Sequence, residues 1–307
     1  MVRDHEVSAQ RGGSLLNTGE RGFDAVVYTI SSILLLIVLY PLIFVLSASF
    51  SDPVMVMNGE MWLWPTGFTL DAYKEIFKYD AVWTGYTNTI VYTVVGTLVN
   101  VLMTTLAAYP LSRRDLPGKR IIMFAITFTM FFNGGLIPTY LIVKDLHLVN
   151  TMWAMVVPTA VATYNLIVMR TYFQNSIPWE LQEASLMDGC SNTRLLIHII
   201  LPLSKPIIAV MVLFYAVGHW NAFFNALIYL RDENLYPLQL VLREILIVSQ
   251  SSFLDSSGST FGMTEKLLLA ESIKYGLIII ASIPVLIMYP FVQKHFVKGV
   301  MIGSIKE

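Results

Sequence analysis

Cysteine and charged residues are scarce in this sequence of 307 residues. Cys190 is its only cysteine, so an internal disulfide and a multi-cysteine metal site are both excluded. Asp, Glu, Lys and Arg make up 13% of the residues, whereas soluble domains carry roughly 25%. The five histidines are scattered without the spacing of metal ligands. This composition excludes an ordinary soluble domain, because too few polar residues remain to cover its surface.

Several sequence motifs are absent as well. The sequence contains no Gly-x-x-x-x-Gly-Lys-Ser/Thr, so we expect no ATP binding by a P-loop. It also contains no His-Glu-x-x-His, no Gly-x-Ser-x-Gly and no paired cysteines, and these absences argue against an intrinsic enzyme. The net charge of −1 gives no indication of nucleic-acid binding. We therefore predict a non-catalytic chain that holds no cofactor of its own.

Long apolar runs dominate what is present, with 55% hydrophobic residues and a mean hydropathy of +0.63. A helix that crosses the hydrocarbon layer needs about 20 largely apolar residues. Six runs approach or exceed that length, at about 25–50, 89–109, 121–143, 151–169, 206–230 and 275–292. The third run is interrupted by Asn133-Gly134-Gly135, and a bend is expected there. The sequence predicts an all-α polytopic membrane protein, with a polar tail at 1–24 and six transmembrane helices in a membrane domain at 25–307.

The distribution of Lys and Arg predicts the orientation of this domain. With six spans, thirteen of the twenty basic residues fall on the side that holds both termini, and seven fall on the other side. Basic residues favour the cytoplasmic side, so both termini are expected in the cytoplasm. Two long segments on the opposite side, about 51–88 and 231–272, are expected to be partly helical and polar.

The stretch at 176–202, between the fourth and fifth runs, predicts two short helices that meet at an angle. Pro178 suits the first turn of a helix, and Gly189 is well placed to end that helix. Ser191 or Asn192 can cap a second helix, and Pro202 is expected to bend the chain towards the fifth span. This shape alone fits an amphipathic loop at the membrane surface as well as it fits a docking surface for another protein.

The residue pattern of the same stretch distinguishes these two interpretations. Glu183-Ala184-Ser185, then Gly189, then Ile199-x-Leu201-Pro202 resembles the EAA loop of the membrane subunits of ABC importers. Asp188 also fits that loop, while Ser185 and Cys190 stand where alanine is commoner, and both are small. Other stretches resemble the maltose-type, carbohydrate branch of these permeases and its C-terminal permease, at 88–113, 134–140, 218–221 and 298–306. The chain is identified as a member of this family, with its type I importer fold.

The resemblance implies that the helices at about 178–202 form the coupling helix, which docks in a cleft of the ATPase subunit. The implied ATPase-coupling residues are Glu183, Ala184, Ser185, Leu186, Met187, Asp188 and Gly189. Glu183 would face a basic group on the ATPase, and the small residues would permit close packing. Leu181, Leu186 and Met187 would supply apolar contacts, although Leu186 and Met187 could instead be buried against the chain's own spans.

The resemblance also implies partners and a location. It implies a second homologous permease, two ATPase subunits that use ATP and Mg, an extracytoplasmic solute-binding protein, and the lipid of the bacterial cytoplasmic (inner) membrane. The imported solute would be a carbohydrate, and the C-terminal stretch points to an oligosaccharide. The Ser- and Gly-rich segment at 250–262 would enter the sugar cleft of the binding protein, with a flexible surface loop as the alternative.

Four polar or aromatic residues in the fifth run are candidates for the substrate pathway: His219, Trp220, Asn221 and Asn225. Such side chains suit a sugar, but they equally suit hydrogen bonds between helices. A secondary transporter or channel is the competing function, and such proteins commonly carry ionisable residues within the membrane. The six runs contain no Asp, Glu, Lys or Arg, and His219 alone could titrate. A membrane scaffold without transport would leave the EAA pattern unexplained.

Overall fold

The computed structural model describes residues 13–254 and 273–290, with side chains over 22–247 and 273–290. Regular structure in this part of the chain is entirely helical, in agreement with the predicted class. The helices are α1 (Gly13–Ser49), α2 (Pro53–Met57), α3 (Asp71–Lys78), α4 (Asp80–Ser112), α5 (Lys119–Phe131), α6 (Leu136–Asp145), α7 (Trp153–Val156), α8 (Thr163–Ser176), α9 (Trp179–Met187), α10 (Asn192–Leu203), α11 (Lys205–Trp220), α12 (Phe224–Tyr229), α13 (Leu238–Leu254) and α14 (Ile273–Pro290).

Helix α4 lies at the centre of the bundle and packs against α7, α8, α11 and α13. Its buried face carries small and polar residues spaced three or four apart, namely Thr89, Thr93, Gly96, Asn100 and Thr104. Residues with this spacing share one face of a helix. Small residues let neighbouring helices approach closely inside a membrane, which explains why a helix of this composition occupies the centre.

The two largest apolar clusters of the core lie at opposite ends of α4. At the Arg113 end, α4 packs against α8, α10 and α11 through residues that include Tyr109, Leu166, Phe173, Leu195 and Met211. At the Asp80 end, α4 packs against α3, α13 and α14 through residues that include Ile76, Val82, Leu238, Val241 and Leu277.

Helix α1 is mostly exposed, but its C-terminal end is packed, where the Phe44 ring lies edge-on to Tyr275 of α14. Its apolar part, Gly22–Ser49, is long enough to cross a membrane, and residues 22–42 of it are exposed. The helix begins at Gly13, so it overlaps the predicted tail at 1–24, of which residues 1–12 lie outside the described residues. Pro41 is accommodated within α1.

Two of the predicted spans bend sharply. Helices α5 and α6 meet at 114°, and the break coincides with the predicted interruption, where Gly135 has a φ of 86°. Helices α10 and α11 meet at 83°. That break is at Ser204, two residues beyond the predicted bend at Pro202.

The fourth and fifth apolar runs are not single helices, which corrects the prediction. In the fourth, α7 passes into a 3₁₀ turn at Val157–Thr159, and α8 begins only at Thr163. In the fifth, α11 ends at Trp220 and α12 begins at Phe224. Three helices in the described residues could each span a membrane, or five if each bent pair counts as one span, so the predicted number of six is not confirmed.

The break in the fourth run is stabilised by polar groups from the neighbouring helices. The Asn100 side-chain amide donates a hydrogen bond to the carbonyl oxygen of Thr159. The backbone N–H of Ala162 donates to the Tyr215 hydroxyl at 3.2 Å. An apolar run predicts a segment within the membrane, but it does not predict an unbroken helix. Breaks are tolerated there when the buried backbone groups find other hydrogen-bond partners.

Candidate functional site

The stretch at 176–202 folds as two helices joined by a fixed turn, as predicted. Helix α9 ends at Met187, and Gly189 follows with a φ of 74°. The Cys190 N–H donates to the Ser185 carbonyl at 2.9 Å, and the Gly189 N–H donates to the Leu186 carbonyl at 3.0 Å. These two bonds make a Schellman motif, in which glycine takes the left-handed conformation without steric cost.

The second helix, α10, begins with a side-chain cap. Ser191 is its N-cap, and its hydroxyl accepts a hydrogen bond from the Arg194 N–H at 3.3 Å. A π-helical turn at Leu196–Ile200 follows, before Pro202. Proline lacks an N–H and crowds the carbonyl four residues earlier, which explains the local widening of the helix.

The predicted coupling residues divide between two faces of the turn. Six of them are exposed: Glu183, Ala184, Leu186, Met187, Asp188 and Gly189. Met187 is 89% exposed, at the end of α9. Ser185 is buried instead, and its hydroxyl donates to the Leu181 carbonyl at 2.7 Å. Leu181 packs against the core cluster at the Arg113 end of α4, rather than with the exposed apolar residues.

Glu183 is held by a residue of its own helix. The Trp179 indole N–H donates to the Glu183 carboxylate at 2.6 Å, one turn away. This contact fixes the direction of the carboxylate on the exposed face, and its remaining acceptor capacity stays available to a partner.

Two consecutive arginines that follow α4 reach this turn, and the sequence alone predicted no contact between them and the coupling helices. Arg113 is 7% exposed, and its guanidinium donates to the side-chain carbonyl of Asn192 at 2.8 Å. The Arg114 guanidinium lies 5.5 Å from the centre of the Trp179 ring. Arg113 therefore contacts α10, and Arg114 contacts α9. The signal in the sequence is the arginine pair directly after a long apolar run.

Arg113 is held in place by further bonds. It donates two hydrogen bonds to Asp115, at 2.6 and 2.7 Å, and one to the Tyr109 hydroxyl at 3.2 Å. The bond from Arg113 holds the pKa of the Asp115 carboxyl below its ordinary value. The same bond raises the pKa of the guanidinium, against the effect of burial. The pair is thus charged at neutral pH, and the fork of Arg113 has a fixed orientation.

Three side chains hold the last carbonyl groups at the Arg113 end of α4. Arg170 donates to the Leu111 carbonyl at 3.0 Å, and Gln174 donates to the Ser112 carbonyl at 3.1 Å. Lys119 donates to the Arg113 carbonyl at 2.8 Å. Cations at a helix C-terminus satisfy free carbonyls and complement the helix dipole. This end of α4 is therefore joined to both α5 and α8.

The four predicted substrate-pathway residues lie in different surroundings. His219 and Trp220 are buried, and they bond to Asn100 at 2.6 Å and to the Ala281 carbonyl at 2.9 Å. Asn221 is exposed and lines a pocket of about 350 Å³ whose wall also includes Gln239 and Ser282. Asn225 is half-buried and does not line that pocket. Two of the four thus make helix–helix contacts, and one reaches a cavity.

Two other predicted features fall partly or wholly outside the described residues. The predicted loop at 250–262 begins within α13, which continues to Leu254, and the rest of it lies outside. The C-terminal stretch at 298–306 lies outside entirely. Among the described residues, no group of three or more His, Cys, Asp or Glu is placed to hold a metal ion.

Comparison with known proteins identifies the family. Residues 81–302 match the family described as "Binding-protein-dependent transport system inner membrane component". The chain is 43% identical to the polygalacturonan/rhamnogalacturonan transport system permease protein YtcP of Bacillus subtilis, over 93% of this chain and 99% of that protein. It is 42% identical to the protein LplC of the same organism, over 88% and 90% of the two chains.

A solved structure supports the same assignment. A chain from a bacterial ABC transporter "involved in the import of the acidic polysaccharide alginate" superposes with a TM-score of 0.81 and 34% identity, over 91% of this chain and 98% of that chain. The family match covers most of the sequence, including α9 and α10. The chain belongs to the binding-protein-dependent transport system inner membrane components, the family of ABC importer permeases that its EAA-like pattern indicated.

Proposed function

We propose that this chain is the permease subunit of an ATP-driven importer for acidic oligosaccharides, such as fragments of uronate polysaccharides. The similarity to a polygalacturonan/rhamnogalacturonan permease over nearly its whole length carries this proposal. The likeness to a chain of an importer of alginate, another acidic polysaccharide, supports it. ATP and Mg would bind to separate ATPase subunits, since the sequence has no P-loop.

The proposed assembly contains a second, homologous permease, two ATPase subunits and an extracytoplasmic binding protein in the bacterial inner membrane. The large exposed apolar surface of α1 supports burial against lipid or another membrane subunit. Both termini would be cytoplasmic, as the positions of the basic residues favour. Transport would alternate access: ATP binding opens the pathway outwards to the binding protein, and hydrolysis resets it inwards.

The exposed face of α9 would dock on the ATPase. Leu186 and Met187 offer apolar surface there, and Glu183 offers a carboxylate whose direction Trp179 fixes. The capped turn at Gly189 resists bending, so it can transmit a displacement that a flexible loop would absorb. A Cβ atom at Gly189 would lie more than 4 Å from the described parts of this chain, which leaves that space for a partner.

The pocket beside Asn221 would form part of the sugar pathway. Asn221, Gln239 and Ser282 supply polar groups there, and apolar side chains such as Leu242 and Val285 supply surface for sugar rings. His219 and Trp220 would then support this pocket by holding α11 in place, rather than contact the solute.

Reconstitution of the whole importer in liposomes tests the proposed function. We expect ATP-dependent uptake of trigalacturonate with the cognate binding protein outside, and little uptake of the neutral sugar maltotriose. Uptake by this chain alone without ATP would contradict the ATPase-dependent mechanism. Uptake of maltotriose in preference to trigalacturonate would contradict the proposed substrate class.

A further inference from the structure

The two arginines that follow α4 each contact a different coupling helix. Arg113 bonds to Asn192, the first residue of α10, and Arg114 lies over the ring of Trp179, the first residue of α9. The Gly189 turn lies between the two contacted helices. Both of them are thus tied to the end of one long helix by adjacent residues of the chain.

The hydrogen bond between Arg113 and Asn192 joins a buried residue to an exposed one. Arg113 is buried and keeps Asp115 and Tyr109 as partners whether or not Asn192 is present. Asn192 is exposed. Loss of its amide would therefore remove this polar contact with α10, leaving the apolar packing between α4 and α10 in place and the arginine charge compensated.

Helix α4 offers a continuous path from that bond to the far side of the bundle. It runs unbroken over Asp80–Ser112, and α5 and α8 hold its Arg113 end. Near the Asp80 end, the Asn88 side chain donates to the Asn234 carbonyl at 2.7 Å, and the Tyr92 hydroxyl donates to the Leu235 carbonyl at 2.8 Å. A displacement of α10 thus has a chain of fixed contacts along α4 to the segment before α13.

We propose that Arg113, assisted by Arg114, is a positioning residue for transport, which makes α9 and α10 move together with α4. It would keep a movement imposed on the coupling helices from being lost at their junction with the bundle. This inference rests on the proposed function, because it requires an ATPase that moves α9.

The test compares transport with ATP hydrolysis in the same vesicles. The reconstituted importer would carry Arg113→Gln, Asn192→Leu, or both, with trigalacturonate and its binding protein. We expect assembly and ATP hydrolysis to persist, while the trigalacturonate imported per ATP hydrolysed falls about tenfold, a size typical of a lost coupling between sites. The double variant should lose no more than the larger single loss, because both changes break the same bond.

Two further variants serve as matched controls. Asn192→Asp keeps an acceptor for Arg113 and should retain most of the imported sugar per ATP. Arg120→Gln removes an exposed arginine on α5 and should behave as the unaltered importer does. If Arg113→Gln prevents assembly, the exposed Asn192→Leu carries the test.

If Asn192→Leu imports as much trigalacturonate per ATP hydrolysed as the unaltered importer, the inference is overturned. A fall in uptake matched by an equal fall in ATP hydrolysis would overturn it as well. Failure of the proposed function gives a different result, because the unaltered importer would then show no ATP-driven uptake of trigalacturonate. A normal unaltered importer with an unaffected Asn192→Leu variant therefore refutes the role of Arg113 alone.

Discussion

Gly96 of α4 lies directly against the imidazole ring of His219 on α11, so that a methyl group at position 96 would overlap the ring. One turn further along α4, the side-chain carbonyl of Asn100 accepts a hydrogen bond at 2.6 Å from Nε2 of the same histidine. The two helices at the centre of the bundle therefore meet through a small residue and a buried polar pair, which is a common solution inside membranes.

Replacement of Gly96 by alanine should destabilise the assembled permease. The added methyl must push His219 away from Asn100, and overpacking of this kind costs about 1 to 3 kcal/mol. Gly218→Ala is the matched control, since no atom of the described residues lies within 4 Å of a Cβ placed there and alanine favours a helix. Thermal unfolding of the purified complex should show a lower midpoint for Gly96→Ala only. Equal midpoints would refute the close contact.

The break between α7 and α8 should depend on the hydroxyl of Tyr215. Tyr215→Phe removes the acceptor for the Ala162 N–H and a bond to Thr104 at 2.7 Å, and we expect a loss of about 1 kcal/mol. Tyr164→Phe removes an exposed hydroxyl and should have no effect. Thermal unfolding of the two variants provides the measurement. A loss no larger for Tyr215→Phe than for Tyr164→Phe would contradict the assigned bonds.

The turn at Gly189 yields a prediction that separates backbone strain from docking. Gly189→Val should abolish uptake while membrane insertion persists, because a branched residue is strained at a φ of 74°. Asparagine tolerates that conformation. Any loss of uptake in Gly189→Asn would therefore come from its side chain occupying the space left for a partner, rather than from backbone strain.

Gly59 provides the control for both substitutions at Gly189. It has a φ of 73° and the same open space, but it lies in the segment between α2 and α3. We expect Gly59→Asn to transport normally and Gly59→Val to retain more uptake than Gly189→Val. Normal uptake in both Gly189 variants would contradict the coupling role.

The sequence predicted the helical class, the bend before α6 and the helix–glycine–helix at 176–202, because each depends on local signals. Apolar runs mark membrane segments, a Gly-Gly pair marks a break, and a glycine after an amphipathic helix marks its end. The EAA-like spacing added the family, which periodicity alone would have left open.

The breaks at 160–162 and 221–223 were missed, and the first of them depends on neighbouring helices. No residue in 160–162 distinguishes this stretch from a continuous helix, and its stability depends on Asn100 and Tyr215, which are distant in sequence. The inward face of Ser185 and the bond between Arg113 and Asn192 are likewise tertiary contacts. A pattern read along one chain does not contain them.

Cross-linking from Met187 tests the central claim most directly. In a Cys190→Ser background, which removes the only native cysteine, Met187→Cys should cross-link to the ATPase subunit with a short bifunctional reagent, and ATP should change the yield. Leu98→Cys, an exposed position on α4 within the predicted membrane span, should give no such product. A nucleotide-sensitive adduct at Met187 alone is the predicted result. Its absence in an importer that still transports trigalacturonate would contradict the coupling role of α9.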